Sequence, residues 1–246
     1  MIYMLKRILL SVGVLSALFI LILGVLLYQG ILLFNHPSEH DYPVRGVDVS
    51  SYQGEIDWDI LSGEGIQFAF IKATEGSGFV DPYFERNLSG ALGTPLRVGA
   101  YHFFSYDSSG AAQAEHFIAA VPKWEGMLPP VIDVEFYGDK ERHPPDQTEV
   151  AVNLGEMIDR LTEYYGMAPI LYATEKSYRL YIADGFADCD IWIRNILSRP
   201  SLSDGRSWIF WQYANRGRLR GYTGREKFID LNVFLGTQAE FDAYGM

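Results

Sequence analysis

From residue 44 onward, short apolar segments alternate with amphipathic ones, and this alternation constrains the fold more than any other feature of the chain. "VRGVDVS" (44–50), "QFAFIKAT" (67–74), "LRVGAYHFF" (96–104), "LPPVIDVEF" (128–136) and "APILYAT" (168–174) read as strands, rich in β-branched and aromatic residues. Helices are predicted between them. Asp57 is the expected N-cap of one over 57–65, and Pro82 stands near the start of another over 81–93. An Ala-rich helix covers 109–121. A long one covers 146–166, with Val150, Leu154, Ile158 and Leu161 on one side and Gly166 beyond its end. A short helix follows around 175–182. "DIWIRNI" (190–196), "SWIFWQYA" (207–214) and "KFIDLNVFL" (227–235) are three further strands without full helices between them. Five β/α units followed by three strands predict a barrel or barrel-like sheet, with its active site at the C-terminal ends of the strands.

Four acids interrupt these apolar strands: Asp48, Asp133, Glu135 and Asp230. Side chains at i and i+2 share a face, with Cα atoms about 6.5 Å apart. Asp133 and Glu135 therefore point the same way. Barrel closure makes the first and last strands neighbours and sets Asp48 beside Asp230. Taken singly, each acid reads as a helix cap or an ion-pair partner. Four at corresponding places read as one centre. Clustered carboxyls raise one another's proton affinity, so one stays protonated near neutrality while another stays charged. That is the equipment for glycoside cleavage. A metal site is the other chemistry open to clustered acids. However, no His lies within three residues of any of the four, and "DVE" lacks the composition of a Ca²⁺ loop. No metal or cofactor is expected.

Residues 1–34 read as a cytoplasmic stub and a transmembrane signal-anchor. Lys6 and Arg7 precede Ile8–Tyr28, an uncharged run of 21 residues. At 1.5 Å per residue it spans about 31 Å, enough for a hydrocarbon core. It contains no A-x-A-like cleavage site. A cleaved signal is the alternative and would leave a secreted domain. No Lys or Arg follows until Arg45, so the domain is expected on the periplasmic or extracellular side of the cell membrane. Residues 35–43 read as a polar linker and 44–246 as the catalytic barrel. Without Lys6 and Arg7, 18 basic residues face 31 acidic ones, a net charge of −13. Such a surface argues against nucleic acid as a partner. Cys189 is the only cysteine, which excludes an internal disulfide, and it reads as a small buried residue.

"RGVDVSSYQGEIDW" (45–58), "FAFIKATEG" (68–76), "VGAYHFF" (98–104), "VIDVE" (131–135), "WQYA" (211–214) and "IDLNVF" (229–234) occur in order. Over about residues 44–240 the chain resembles the lysozymes of glycoside hydrolase family 25. The resemblance implies a flattened (β/α)5β3 barrel and N-acetylmuramidase activity on the glycan strands of peptidoglycan. It implies that Glu135 is the general acid. Asp133 would serve the substrate's 2-acetamido group and stay charged, while Asp48 and Asp230 line the same centre. Tyr101, Tyr172, Trp192, Trp211, Gln212 and Lys72 are candidate substrate-binding residues, although each also reads as a core or ion-paired residue. Lys72 and Glu75 are placed to pair, and His102 reads as a hydrogen-bonded core residue. "IWIRNI" (191–196) departs from the family pattern, since Arg194 and Asn195 stand where a small residue and an aromatic are more usual. A chitinase-like hydrolase and an inactive glycan-binding barrel are the competing readings. A monomer is expected.

Overall fold

The structure, a computed structural model, describes residues 2–245. Helix α1 (Ile2–Tyr28) projects from the rest, apolar on all sides and long enough to cross a bilayer, with none of its apolar stretch buried against the domain. The domain then runs β1 (Arg45–Val49), α2 (Trp58–Ser62), β2 (Phe68–Glu75), β3 (Phe79–Val80), α3 (Phe84–Leu92), β4 (Arg97–Phe103) and α4 (Gly110–Ala120). It continues with β5 (Val131–Val134), α5 (Gln147–Tyr165), β6 (Ile170–Thr174) and α6 (Glu175–Ser177), which passes into a π-helical turn at Tyr178–Ile182. Strands β7 (Ile191–Arg194), β8 (Phe210–Gly217) and β9 (Ile229–Phe234) and helix α7 (Gln238–Ala243) complete it.

Strands β1, β2, β4, β5, β6, β7 and β8 pair in that order, all parallel. Strand β9 runs antiparallel to both β8 and β1 and closes the barrel. The closed barrel therefore has eight strands, as the sequence predicts. The ninth, β3, is a two-residue hairpin partner of β2, too short to show any periodicity. Helix α7 is also absent from the sequence reading. It has six residues, opened by a capping box between Thr237 and Glu240. Strand β5 starts three residues later than predicted, because Pro129 and Pro130 have no N–H to give a ladder, and it ends at Val134, two residues early. Strand β8 starts three residues later than predicted, since Trp208 is held in a loop by a bond from its Nε1 to the Pro200 carbonyl and by packing on Tyr42. The Asp57 cap and the Gly166 stop match expectation, and the Asp146 cap is added by the structure. Asp57 caps α2, Asp146 caps α5, and Gly166 ends α5 at φ 81°.

Alternation along each strand divides the core in two. Outward residues such as Val47, Ile71, Ile132, Leu171 and Ile193 pack under the helices. Inward residues Phe68, Phe70, Trp192, Phe210 and Phe234 fill the barrel, and Phe241 of α7 plugs its lower end. These rings need room. A Cβ on Gly46 or Gly99 would lie about 2.5 Å from the rings of Phe68 and Phe70 respectively. The apolar plug leaves only the upper mouth for polar chemistry.

Segment 35–43 has no helix or strand, and it packs on the barrel. Tyr42 is buried between Trp208 and Trp211, and the Arg45 guanidinium bonds the Pro37 carbonyl. At the end of α1, Arg216 Nη1 donates to the Tyr28 carbonyl at 2.6 Å and Lys227 Nζ to Gln29 Oε1 at 2.8 Å.

Candidate active site

Each acid reaches the mouth by a separate route. β1 carries Asp48 inward near its C-terminal end. β9 runs the other way, so Asp230, its second residue, lies at the same level as the direct register partner of Asp48. β5 carries Asp133 inward, and Glu135 stands one residue past that strand, at the rim. All four line one cleft of about 570 Å³.

Asp48 is held from several sides. Its Oδ2 accepts from Asn232 Nδ2 at 2.7 Å and Gln212 Nε2 at 3.0 Å. Tyr172 in turn donates its hydroxyl to Gln212 Oε1 at 3.0 Å, and Trp192 Nε1 donates to Asn232 Oδ1 at 2.9 Å. Burial raises the proton affinity of Asp48, and the Asn232 and Gln212 amides counter part of that rise. Asp230, hydrogen-bonded to Asp48, is pushed well above the usual carboxyl range by burial and then by the charge of Asp48. Of the two, Asp230 is the more strongly pushed toward its protonated form.

The second pair is Asp133 and Glu135. Burial raises both, and the charge of Glu135 raises Asp133 further. Arg194 opposes the rise at Glu135, its Nη1 lying 3.8 Å from Oε1, with the two side chains 32% and 25% exposed. Asp133 is buried, and its Oδ1 has no hydrogen-bond partner. A buried acceptor without a partner is costly, and Asp133 is one of the residues that line the cleft. Burial, and then the charge of Glu135, raise the proton affinity of Asp133, which works against the expectation that it stays charged.

The profile of glycosyl hydrolases family 25 matches residues 47–222, most of the domain. The chain belongs to glycosyl hydrolases family 25. A solved family 25 glycosyl hydrolase of Bacillus anthracis is 56% identical, with a TM-score of 0.83, covering 87% of this chain and 98% of that one. A bacterial lysozyme from Streptomyces coelicolor is 30% identical with a TM-score of 0.75, covering 81% and 95%. Lysozyme M1 of Streptomyces globisporus is 30% identical over 212 residues, 80% of this chain and 69% of that protein.

In this family 25 hydrolase the candidate binding residues divide. Tyr101 and Tyr172 both line the cleft. Burial and the neighbouring carboxylates hold their hydroxyls well above the usual tyrosine range, so they remain neutral donors. Lys72 lines the cleft too, paired with Glu75 at 2.6 Å and lying over the ring of Phe103. Gln212 has its carbonyl taken by Tyr172 and an amide hydrogen by Asp48, so it serves Asp48 and is not placed as the expected sugar ligand. Trp192 is a correction: it lies in the floor, stacked on Phe70 at 4.7 Å with its indole N–H on Asn232, and offers no open face to a sugar. Trp211 is a second correction. It points outward from β8 into a cluster with Tyr42, Trp208 and Tyr213, and its Nε1 bonds the Asn195 carbonyl.

His102 is a core residue, bonded to Thr74 Oγ1 at 2.7 Å and Gln113 Oε1 at 3.0 Å, and burial lowers its pKa to about 4. Cys189 is buried, its thiol pushed up to about 12 by burial, which leaves it unreactive. Asn232 was missed by sequence reasoning, although it lies two residues after Asp230 and shares its face. Arg194 was noted only as a departure in the groove wall, yet it stands beside Glu135.

Proposed function

We propose that this protein is a membrane-anchored muramidase that hydrolyses the β-1,4 bond from N-acetylmuramic acid to N-acetylglucosamine in peptidoglycan. One observation carries the reading: Asp133, a buried carboxyl with one oxygen lacking a partner, and Glu135, a partly exposed carboxyl, line the same cleft. A 2-acetamido N–H is the donor that fits such an oxygen. Glu135 at the rim is suited to protonate the glycosidic oxygen as the C1–O bond breaks. The acetamido carbonyl oxygen then bonds to C1 from the other side, and water later displaces it, an exception to the two-carboxylate scheme. In the free site the shared proton favours Asp133. An arriving N–H donates to Asp133 and favours its charged form, which leaves the proton for Glu135. Asp48, fixed by Asn232 and Gln212, keeps a negative charge at the mouth as positive charge develops on the sugar. The uncharged run of α1 and the Lys6–Arg7 pair support an uncleaved anchor with the barrel outside the cell.

The test is product analysis. Purified peptidoglycan is digested with the full-length protein in detergent, reduced with borohydride and analysed by mass spectrometry. Muramitol at the new ends is expected. Glucosaminitol or anhydro-muramic ends would overturn the bond assignment, and sacculus binding without products would make the barrel a binding module.

A further inference from the structure

The region 216–227 is the reverse of the acidic domain around it. It holds Arg216, Arg218, Arg220, Arg225 and Lys227, with Glu226 as its only acid. Arg220 pairs with Glu64 at 2.7 Å. Among the described residues, no carboxylate lies within ion-pair distance of Arg216, Arg218 or Lys227. These three surround a single ring, that of Phe228, at 5.0, 5.9 and 4.7 Å from its centroid. Three like charges gathered at one ring repel one another, and the ring quadrupole offsets only part of that repulsion. The arrangement calls for an anion from outside the chain.

The position of the cluster says which anion. Arg216 also lies over the Tyr28 ring at 4.8 Å, and Arg216 and Lys227 donate to Tyr28 and Gln29, where the apolar helix ends. The next residues, Ile31, Leu32 and Phe34, are apolar and exposed. Basic side chains, an interfacial tyrosine and exposed apolar residues at one level form the pattern of a membrane–water boundary.

Resting on the anchor reading above, we infer that Arg216, Arg218 and Lys227, with Ile31, Leu32 and Phe34, form a docking face for the anionic phospholipid headgroups of the leaflet from which α1 emerges. Phe228 and Asn215 also line the catalytic cleft. Docking therefore fixes one wall of that cleft at the membrane surface, and the glycan in reach is the layer next to the bilayer.

The test uses the full-length protein in nanodiscs of phosphatidylcholine alone or mixed with phosphatidylglycerol. A dye is attached at Thr223→Cys, an exposed position in the same hairpin, while the native Cys189 is buried. Its quenching by a headgroup-labelled lipid reports the approach of the domain. Quenching several-fold stronger with phosphatidylglycerol is expected, and molar salt should abolish the difference. An Arg218→Gln/Lys227→Gln variant should lose it too, with hydrolysis of soluble glycan fragments unchanged. Equal quenching in both discs, or full lipid dependence in the double variant, would overturn the docking face and leave the anchor standing. A difference that follows the number of proteins per disc would assign the face to a second copy instead. Failure to enter discs at all would remove the anchor reading, and this inference with it.

Discussion

Replacing Arg194 with Gln tests how the proton is managed at the rim. Its guanidinium lies 3.8 Å from Glu135 Oε1. Two unit charges at that distance interact by about 1 kcal/mol in water-like surroundings and about 4 kcal/mol at an effective dielectric of about 20. Both heads are partly wet, at 32% and 25% exposure, so the value lies near the low end, about 1–2 kcal/mol. Arg194 favours the charged form of Glu135 and so lowers its proton affinity. A general acid must hold its proton, so the alkaline limb of the rate profile marks where Glu135 loses it. Arg194→Gln should move that limb up by about one pH unit, since about 1.4 kcal/mol corresponds to one unit. The plateau below it should change little. The assay is kcat/KM on a soluble glycan fragment across pH. A limb that stays fixed or moves down would refute the reasoning. Collapse at every pH would mean that Arg194 grips substrate and does not tune the acid.

Three further outcomes are expected. Glu135→Gln should lose turnover by about 10²–10⁴-fold while keeping its circular dichroism spectrum and sacculus binding; near-normal activity would remove Glu135 from the acid role. Asp230→Asn should stabilise the fold increasingly as pH rises. Burial and Asp48 hold Asp230 well above the usual range, so the folded state keeps a proton that the unfolded chain releases from about pH 4 upward, and wild-type stability falls as pH rises toward the folded value. Asn carries no charge and still donates to Asp48, so the gap in Tm should widen between pH 4 and 8; a narrowing gap would contradict the assignment of the proton. Phe241→Ala should cost about 3–5 kcal/mol in urea unfolding, because it removes the plug beneath Phe68 and Phe234; a cost near zero would show that the barrel floor closes without it.

The five-then-three alternation was legible because its β/α units carry local signals: the Asp57 cap, Pro82 near a helix start, the Gly166 stop, and apolar runs between. The four acids were legible because charge is conspicuous in strands buried on both faces. Trp192 and Trp211 were not resolved, since neither the side of the barrel wall a ring faces nor its depth can be told from "WIR" or "WQY". One ring became floor and the other outer packing. Helix α7 was hidden by its length and by a sequence whose single large apolar residue, Phe241, makes sense only against rings far away in the chain. The charge state of Asp133 was out of reach for a different reason. It depends on burial and on an empty hydrogen-bond position, both properties of the assembled mouth.

The seam between β1 and β9 also bears on when the protein becomes dangerous. Asp48 is held by Asn232, 184 residues further along the chain, and by Gln212, 164 residues along. At about 5–20 residues per second, a ribosome needs about ten to forty seconds to travel between the first and last of these. In the second half of that interval, once Glu135 has been made, the growing chain has Asp133 and Glu135 but no closing strand and no fixed Asp48. Contacts this distant in sequence are also the slowest to form. A fragment cut short by a stalled ribosome or by proteolysis before β9 lacks the same parts. The mouth of the barrel is thus completed late, when β9 brings Asn232 and Asp230 to Asp48.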